Sequence, residues 1–95
     1  MFAVAEALRE EYKAIVDAGF ILQVDDAYLA LSYEVMVPPG TLKDYRKWAA
    51  IRIEALNHAL QGLPEERTRY HVCWGSWNGP HAYDVELKRI VDLIL

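Results

Sequence analysis

The sequence predicts an α/β protein with parallel strands, in the order α-β-α-β-α. Three observations lead there. Helical apolar periods alternate with short apolar runs, glycines stand where helices should stop, and each short run ends on chemically capable side chains. Strands that alternate with helices pack as a parallel sheet with right-handed crossovers.

The first helix is expected over residues 4–18. Val4, Leu8, Tyr12, Ile15 and Val16 fall near one face, with Glu6, Arg9, Glu10 and Lys13 elsewhere. Gly19 follows at the place where a left-handed residue closes a helix. Residues 20–24 are apolar and too few for a helix, so they predict a buried strand that ends on Asp25-Asp26. Residues 27–40 take no assignment, but Pro38-Pro39-Gly40 is a strong break. Thr41 can cap the next helix, which runs to about Gln61 with Tyr45, Ala49, Ile53, Leu56 and Leu60 on one face. Gly62 and Pro64 stop it. A second strand covers residues 68–74, and a Gly/Asn/Pro-rich loop covers 75–80. A last helix begins near His81 or Ala82, with Tyr83, Leu87, Ile90, Val91 and Ile94 as its apolar face.

Composition bounds the function. The chain has 95 residues, 54% apolar and 25% charged, which suits one globular domain at most. A formal charge of −4 and the absence of a basic run disfavour nucleic-acid binding. No apolar run approaches the roughly 18 residues of a membrane span. Residues 1–11 lack the basic-then-apolar order of a signal peptide. Cys73 is the single cysteine, so no internal disulfide forms and a cytoplasmic setting is expected. The final helix stops at Ile94-Leu95 with no capping glycine or basic last turn, and two strands leave open sheet edges. The expectation is therefore a fragment of a larger domain; a small protein that completes its sheet as a homo-oligomer is the other reading.

His71 and Cys73 stand two apart on the second strand, so alternation turns both side chains to one face. An imidazole and a thiolate are half of a tetrahedral zinc site, with Zn–N about 2.0 Å and Zn–S about 2.3 Å. From the spacing alone, a buried cysteine beside a hydrogen-bonded histidine is the plainer reading. Position favours chemistry, because both lie at the carboxyl end of a strand. Asp25 ends the other strand in the same way; the bland reading is that Asp25 or Asp26 caps the turn that follows. The two aspartates point to opposite faces, so only one can serve a site.

The stretch Tyr70-His71-Val72-Cys73-Trp74-Gly75-Ser76-Trp77-Asn78-Gly79-Pro80-His81 resembles the H-x-C-W-G…G-P-H signature of the cobalamin-independent methionine synthase family. Ile21-Leu22-Gln23-Val24-Asp25-Asp26 is similar to a strand of that family, and RIEALNHALQGL, residues 52–63, to the helix between. The resemblance implies a fragment of a TIM (β/α)8 barrel, since a whole barrel needs about 250 residues. It implies methyl transfer from a folate donor to the thiol of homocysteine, with zinc binding that thiol and keeping it a thiolate. His71 and Cys73 match two zinc ligands, and Asp25 matches the carboxylate that holds the homocysteine amino group. The family's other ligands, a glutamate and a second cysteine, would lie beyond Leu95, so zinc binding should be weak or absent here. Ala27 replaces a frequent proline. Coenzyme M transferases, which use the same zinc–thiolate chemistry, are an alternative, and a non-catalytic self-associating remnant is another.

The remaining candidates have mostly structural expectations. His81 belongs to the loop-to-helix junction, His58 is solvated, and Trp48 packs its helix. Trp74 and Trp77 either line a pocket for a flat pterin or cover the barrel end. Glu6, Glu10, Glu11, Glu65 and Glu66 read as solvated faces.

Overall fold

A computed structural model of the chain describes residues 1–76 and 78–95. Helix α1 spans Phe2–Asp17 and strand β1 Leu22–Asp26; helix α2 spans Ser32–Met36 and helix α3 Leu42–Leu60. A single 3-10 turn, Glu65–Arg67, leads into strand β2, Thr68–Val72. A second 3-10 turn, Leu87–Arg89, precedes the four-residue helix α4, Val91–Ile94. The described residues form a mixed α/β structure with a parallel two-stranded sheet. None of their helices is long and apolar enough to cross a membrane.

Local chemistry explains the first three-quarters of the chain. Gly19 sits at φ 91°, and the amides of Ala18, Gly19 and Phe20 donate back to the last carbonyls of α1 at 3.0, 3.0 and 3.3 Å. That left-handed closure is why the helix turns directly into a strand. Thr41 caps α3 with a full capping box: its hydroxyl accepts from the Asp44 amide at 3.2 Å, while Asp44 accepts from the Thr41 amide at 2.9 Å. The Thr41 hydroxyl also donates to the Asp44 carboxylate at 2.7 Å, and that bond first, then the one from the Thr41 amide, holds the Asp44 carboxyl below its usual range.

Helix α3 packs on two partners. Its first half sets Tyr45 and Ala49 into a core with Leu29, Ala30, Val85 and Ile90. Its second half sets Ala55 and Ala59 against Ala5 of α1. The expected stripe through Ile53, Leu56 and Leu60 is rotated slightly, and those three are only half-buried. Alanines take the tightest contact because their short side chains let two helix backbones approach. Tyr45 is fully buried, meets Tyr33 edge-on at 5.3 Å, and stacks on Trp48 at 5.9 Å. Its hydroxyl donates to the Leu29 carbonyl at 2.7 Å.

Three expectations need correction. The first strand runs two residues later than the apolar run suggests, because pairing begins at Leu22 opposite Thr68. Phe20 and Ile21 are exposed, and the strand is covered on one face rather than buried on both. The second strand stops at Val72, although the Cys73 amide still donates to the Asp26 carbonyl at 3.0 Å. The last helix does not start near residue 81. Tyr83 and Leu87, assigned to its apolar face, are exposed, while Val85 and Ile90 enter the core five residues apart, a spacing no helical face has. The Val85 carbonyl accepts from the Trp74 indole at 2.9 Å, which ties that segment to the end of β2. Residues 32–36, left without assignment by the sequence, form α2.

The strand ends are clamped by Asp26. Its Oδ1 accepts from the amides of Tyr28 at 2.9 Å and Leu29 at 2.7 Å, and its Oδ2 accepts from the Tyr70 hydroxyl at 2.8 Å. Burial first, then this hydrogen bond, raises the Tyr70 hydroxyl pKa. One carboxylate thus shapes the turn after β1 and ties that turn to β2. Replacing Asp26 with Ala leaves three donors without their acceptor; a loss of roughly 1–3 kcal/mol is expected in urea denaturation, against a smaller loss for Asp25→Ala. Burial, with a smaller contribution from Asp26, pushes the Tyr45 hydroxyl up to about 12. A raised folded-state value means stability that is complete below the unfolded value of about 10 and is lost as pH rises through the folded value. Stability should therefore fall at alkaline pH, and Tyr45→Phe should flatten part of that fall in denaturation curves recorded across the range.

Candidate functional site

Alternation divides the two strands into a packed face and a bare one. Leu22, Val24 and Asp26 of β1 and Thr68, Tyr70 and Val72 of β2 are buried or half-buried. Gln23, Asp25, Arg69 and His71 are exposed on the opposite face. All four are polar. Parallel pairing sets Gln23 beside Arg69 and Asp25 beside His71.

That register brings together a carboxylate and an imidazole that lie 46 residues apart in sequence. Asp25 Oδ1 touches His71 Nδ1, and the two side chains are 62% and 52% exposed. A carboxylate can only accept, so the hydrogen of this contact belongs to Nδ1. Among the described residues, Nε2 has no hydrogen-bond partner. The choice between the two aspartates is also resolved in space. Asp26 caps the turn on the packed face, and Asp25 is left on the bare face beside His71.

Cys73 is a free, half-exposed thiol one residue beyond β2. The ladder bond from its amide to Asp26 continues the strand's course by one residue, and among the described residues no hydrogen bond joins its thiol to His71. Gly75, at φ 87°, reverses the chain so that its amide donates to Cys73 Sγ at 3.3 Å. Any side chain at position 75 would strain that left-handed conformation.

As metal donors, an exposed imidazole nitrogen and an oriented thiol fit zinc in kind. They fall short in number. Among the described residues, no three His, Cys, Asp or Glu side chains form a group able to hold an ion. Asp25, His71 and Cys73 do not form such a group.

The other candidates are placed as follows. His81 bonds Asp84 at 3.0 Å in the exposed segment after Pro80. His58 is not simply solvated: its Nε2 meets Glu6 at 2.6 Å and its ring meets Phe2 edge-on at 5.9 Å, so it joins α3 to α1. Trp48 packs α3 against Tyr45 and carries the Arg52 guanidinium 3.6 Å over its ring. Trp74 covers the core with its body and gives its N–H to Val85. Trp77 lies outside the described residues. Glu10, Glu11, Glu65 and Glu66 are exposed. Sequence reasoning missed the Asp26–Tyr70 bond; the available signal was that both residues fall on the packed side of their strands.

No protein-family model matches the chain, and no solved structure matches it. Among curated proteins, it is similar to a 2-hydroxypropyl-CoM lyase of Xanthobacter autotrophicus (strain ATCC BAA-1158 / Py2), with 30% identity over 82 residues. The match takes in 85% of this chain and 18% of that protein, so the chain spans about a fifth of the relative's length. The relative's name is that of a coenzyme M enzyme, not of a methionine synthase, so the likeness gives no support to the methionine synthase assignment expected from sequence.

Proposed function

We propose that the chain is the part of a (β/α) barrel enzyme that carries the metal-binding strand end, and that the enzyme acts on a small thiol or its thioether. The observation that carries this reading is the meeting of Asp25 and His71 at the carboxyl ends of parallel strands, with Cys73 next on the same course. Active sites of parallel α/β architectures lie at that edge. Both sheet edges are unpaired among the described residues, and further barrel strands would join there.

In this reading His71 Nε2 and Cys73 Sγ are two of the zinc ligands, and the remaining donors come from outside residues 1–95. Zinc, when bound, lowers the pKa of a coordinated thiol and stabilises it as a thiolate, the form that leaves or attacks carbon. His71 contributes a neutral nitrogen whose ring is held by Asp25. Cys73 contributes a sulfur held by the Gly75 amide. The likeness to the lyase favours a thiol of the coenzyme M kind over homocysteine with a folate methyl donor, the substrates that the sequence resemblance implied.

Cobalt(II) tests this, because a cobalt–thiolate bond absorbs light where zinc is silent. At high cobalt concentration the wild-type chain, which holds two of the donors, should bind the ion weakly and show a thiolate charge-transfer band. Cys73→Ser should abolish the band, and His71→Ala should weaken binding by more than the roughly 10–100-fold that loss of a supporting contact costs. Added coenzyme M should strengthen the band more than homocysteine does. Wild-type metal retention no greater than that of the two variants would refute the site, and a band indifferent to both thiols would refute the substrate class.

A further inference from the structure

We propose that Asp25 is a positioning residue for His71: it fixes the imidazole tautomer so that Nε2 is the nitrogen presented outward. The inference deepens the metal reading above and rests on it for its purpose, though not for its geometry. The sequence resemblance gives Asp25 a different task, pairing with a substrate ammonium.

Three observations carry the proposal. Asp25 and His71 are direct partners in the parallel ladder, so their side chains leave adjacent strands side by side on the same bare face. Asp25 Oδ1 bonds Nδ1, the ring nitrogen nearer the backbone, and Nε2 is left unpartnered among the described residues. Asp26 meanwhile holds the ends of both strands through Tyr28, Leu29 and Tyr70, which keeps the ladder from slipping and the pair from parting. Carboxylates that bond one imidazole nitrogen settle which nitrogen keeps the lone pair, and they raise its basicity toward a metal. An isolated neutral imidazole prefers the opposite tautomer, with the proton on Nε2, so the Asp25 contact makes a difference that can be seen.

The test uses the metal-free chain labelled with nitrogen-15, at a pH well above the ordinary histidine pKa of about 6.5. Long-range proton–nitrogen correlation spectra report the His71 tautomer directly. The wild type should show the proton on Nδ1. Asp25→Asn, whose amide can turn its N–H toward Nδ1, and Asp25→Ala, which offers no acceptor, should both move the proton to Nε2. Cobalt affinity should fall by about 10–100-fold in both variants. A wild-type His71 protonated on Nε2, or an Asp25→Ala chain with the wild-type tautomer, would overturn the proposal. If the tautomer follows Asp25 while no variant, wild type included, holds metal, the positioning stands and the metal reading fails. Asp25 is exposed on the bare face, and its replacement leaves the Asp26 clamp in place.

Discussion

The in-register parallel pairing of two five-residue strands is the constraint on which the structure turns. Side chains alternate with a period of two, so a slip of one residue in either strand would exchange its faces. In the observed register, the apolar positions of both strands meet the helices and the polar ones share the open face. The adjacent aspartates illustrate the consequence. Asp26 turns inward to three donors and becomes part of the frame. Asp25 turns outward and meets His71. The same dipeptide supplies both the clamp and the group that the clamp holds in place.

The frame extends beyond the sheet. Asp26 binds the Leu29 amide, and Tyr45 of α3 binds the Leu29 carbonyl, so one buried residue in the turn is held from both sides. Trp74, one residue past Cys73, anchors the later segment through Val85. Farther out, Arg46 of α3 grips the Asp92 carboxylate with both terminal nitrogens, at 2.9 and 2.5 Å, and draws the end of the chain onto the same helix. The described residues beyond β2 are therefore tied to α3 and the strand end, with helical hydrogen bonds of their own only in the short turns near the end of the chain.

That difference explains what could be read from the residues and what could not. Helices α1 and α3 were legible because a long period, a capping threonine and terminating glycines are local signals, and each acts within a turn of itself. The segment after Pro80 misled because Tyr83, Leu87, Ile90, Val91 and Ile94 look helical on paper. In space, the contacts of Val85 and Ile90 with the α3 core decide its course, and Tyr83 and Leu87 are left in solvent. The two-residue shift of β1 has a similar cause: Phe20 and Ile21 are apolar enough for a strand, but the ladder starts only where β2 can pair. At the candidate site, the placement of His71 on the exposed face follows from alternation. The contact between His71 and Asp25 needs the register, which no local pattern encodes. The role of Asp26 was equally hidden, since Asp25 and Asp26 are interchangeable to any argument about composition.

The central claim is the register itself, and nuclear Overhauser effects between the backbone protons of β1 and β2 in the labelled chain measure it most directly. Cross-strand contacts that place Gln23 beside Arg69 and Asp25 beside His71, in the pattern of a parallel ladder, are the result this account predicts. Contacts that place Asp25 opposite Tyr70 or Val72 instead would contradict it, because His71 would then lose its carboxylate and the bare face its polar character.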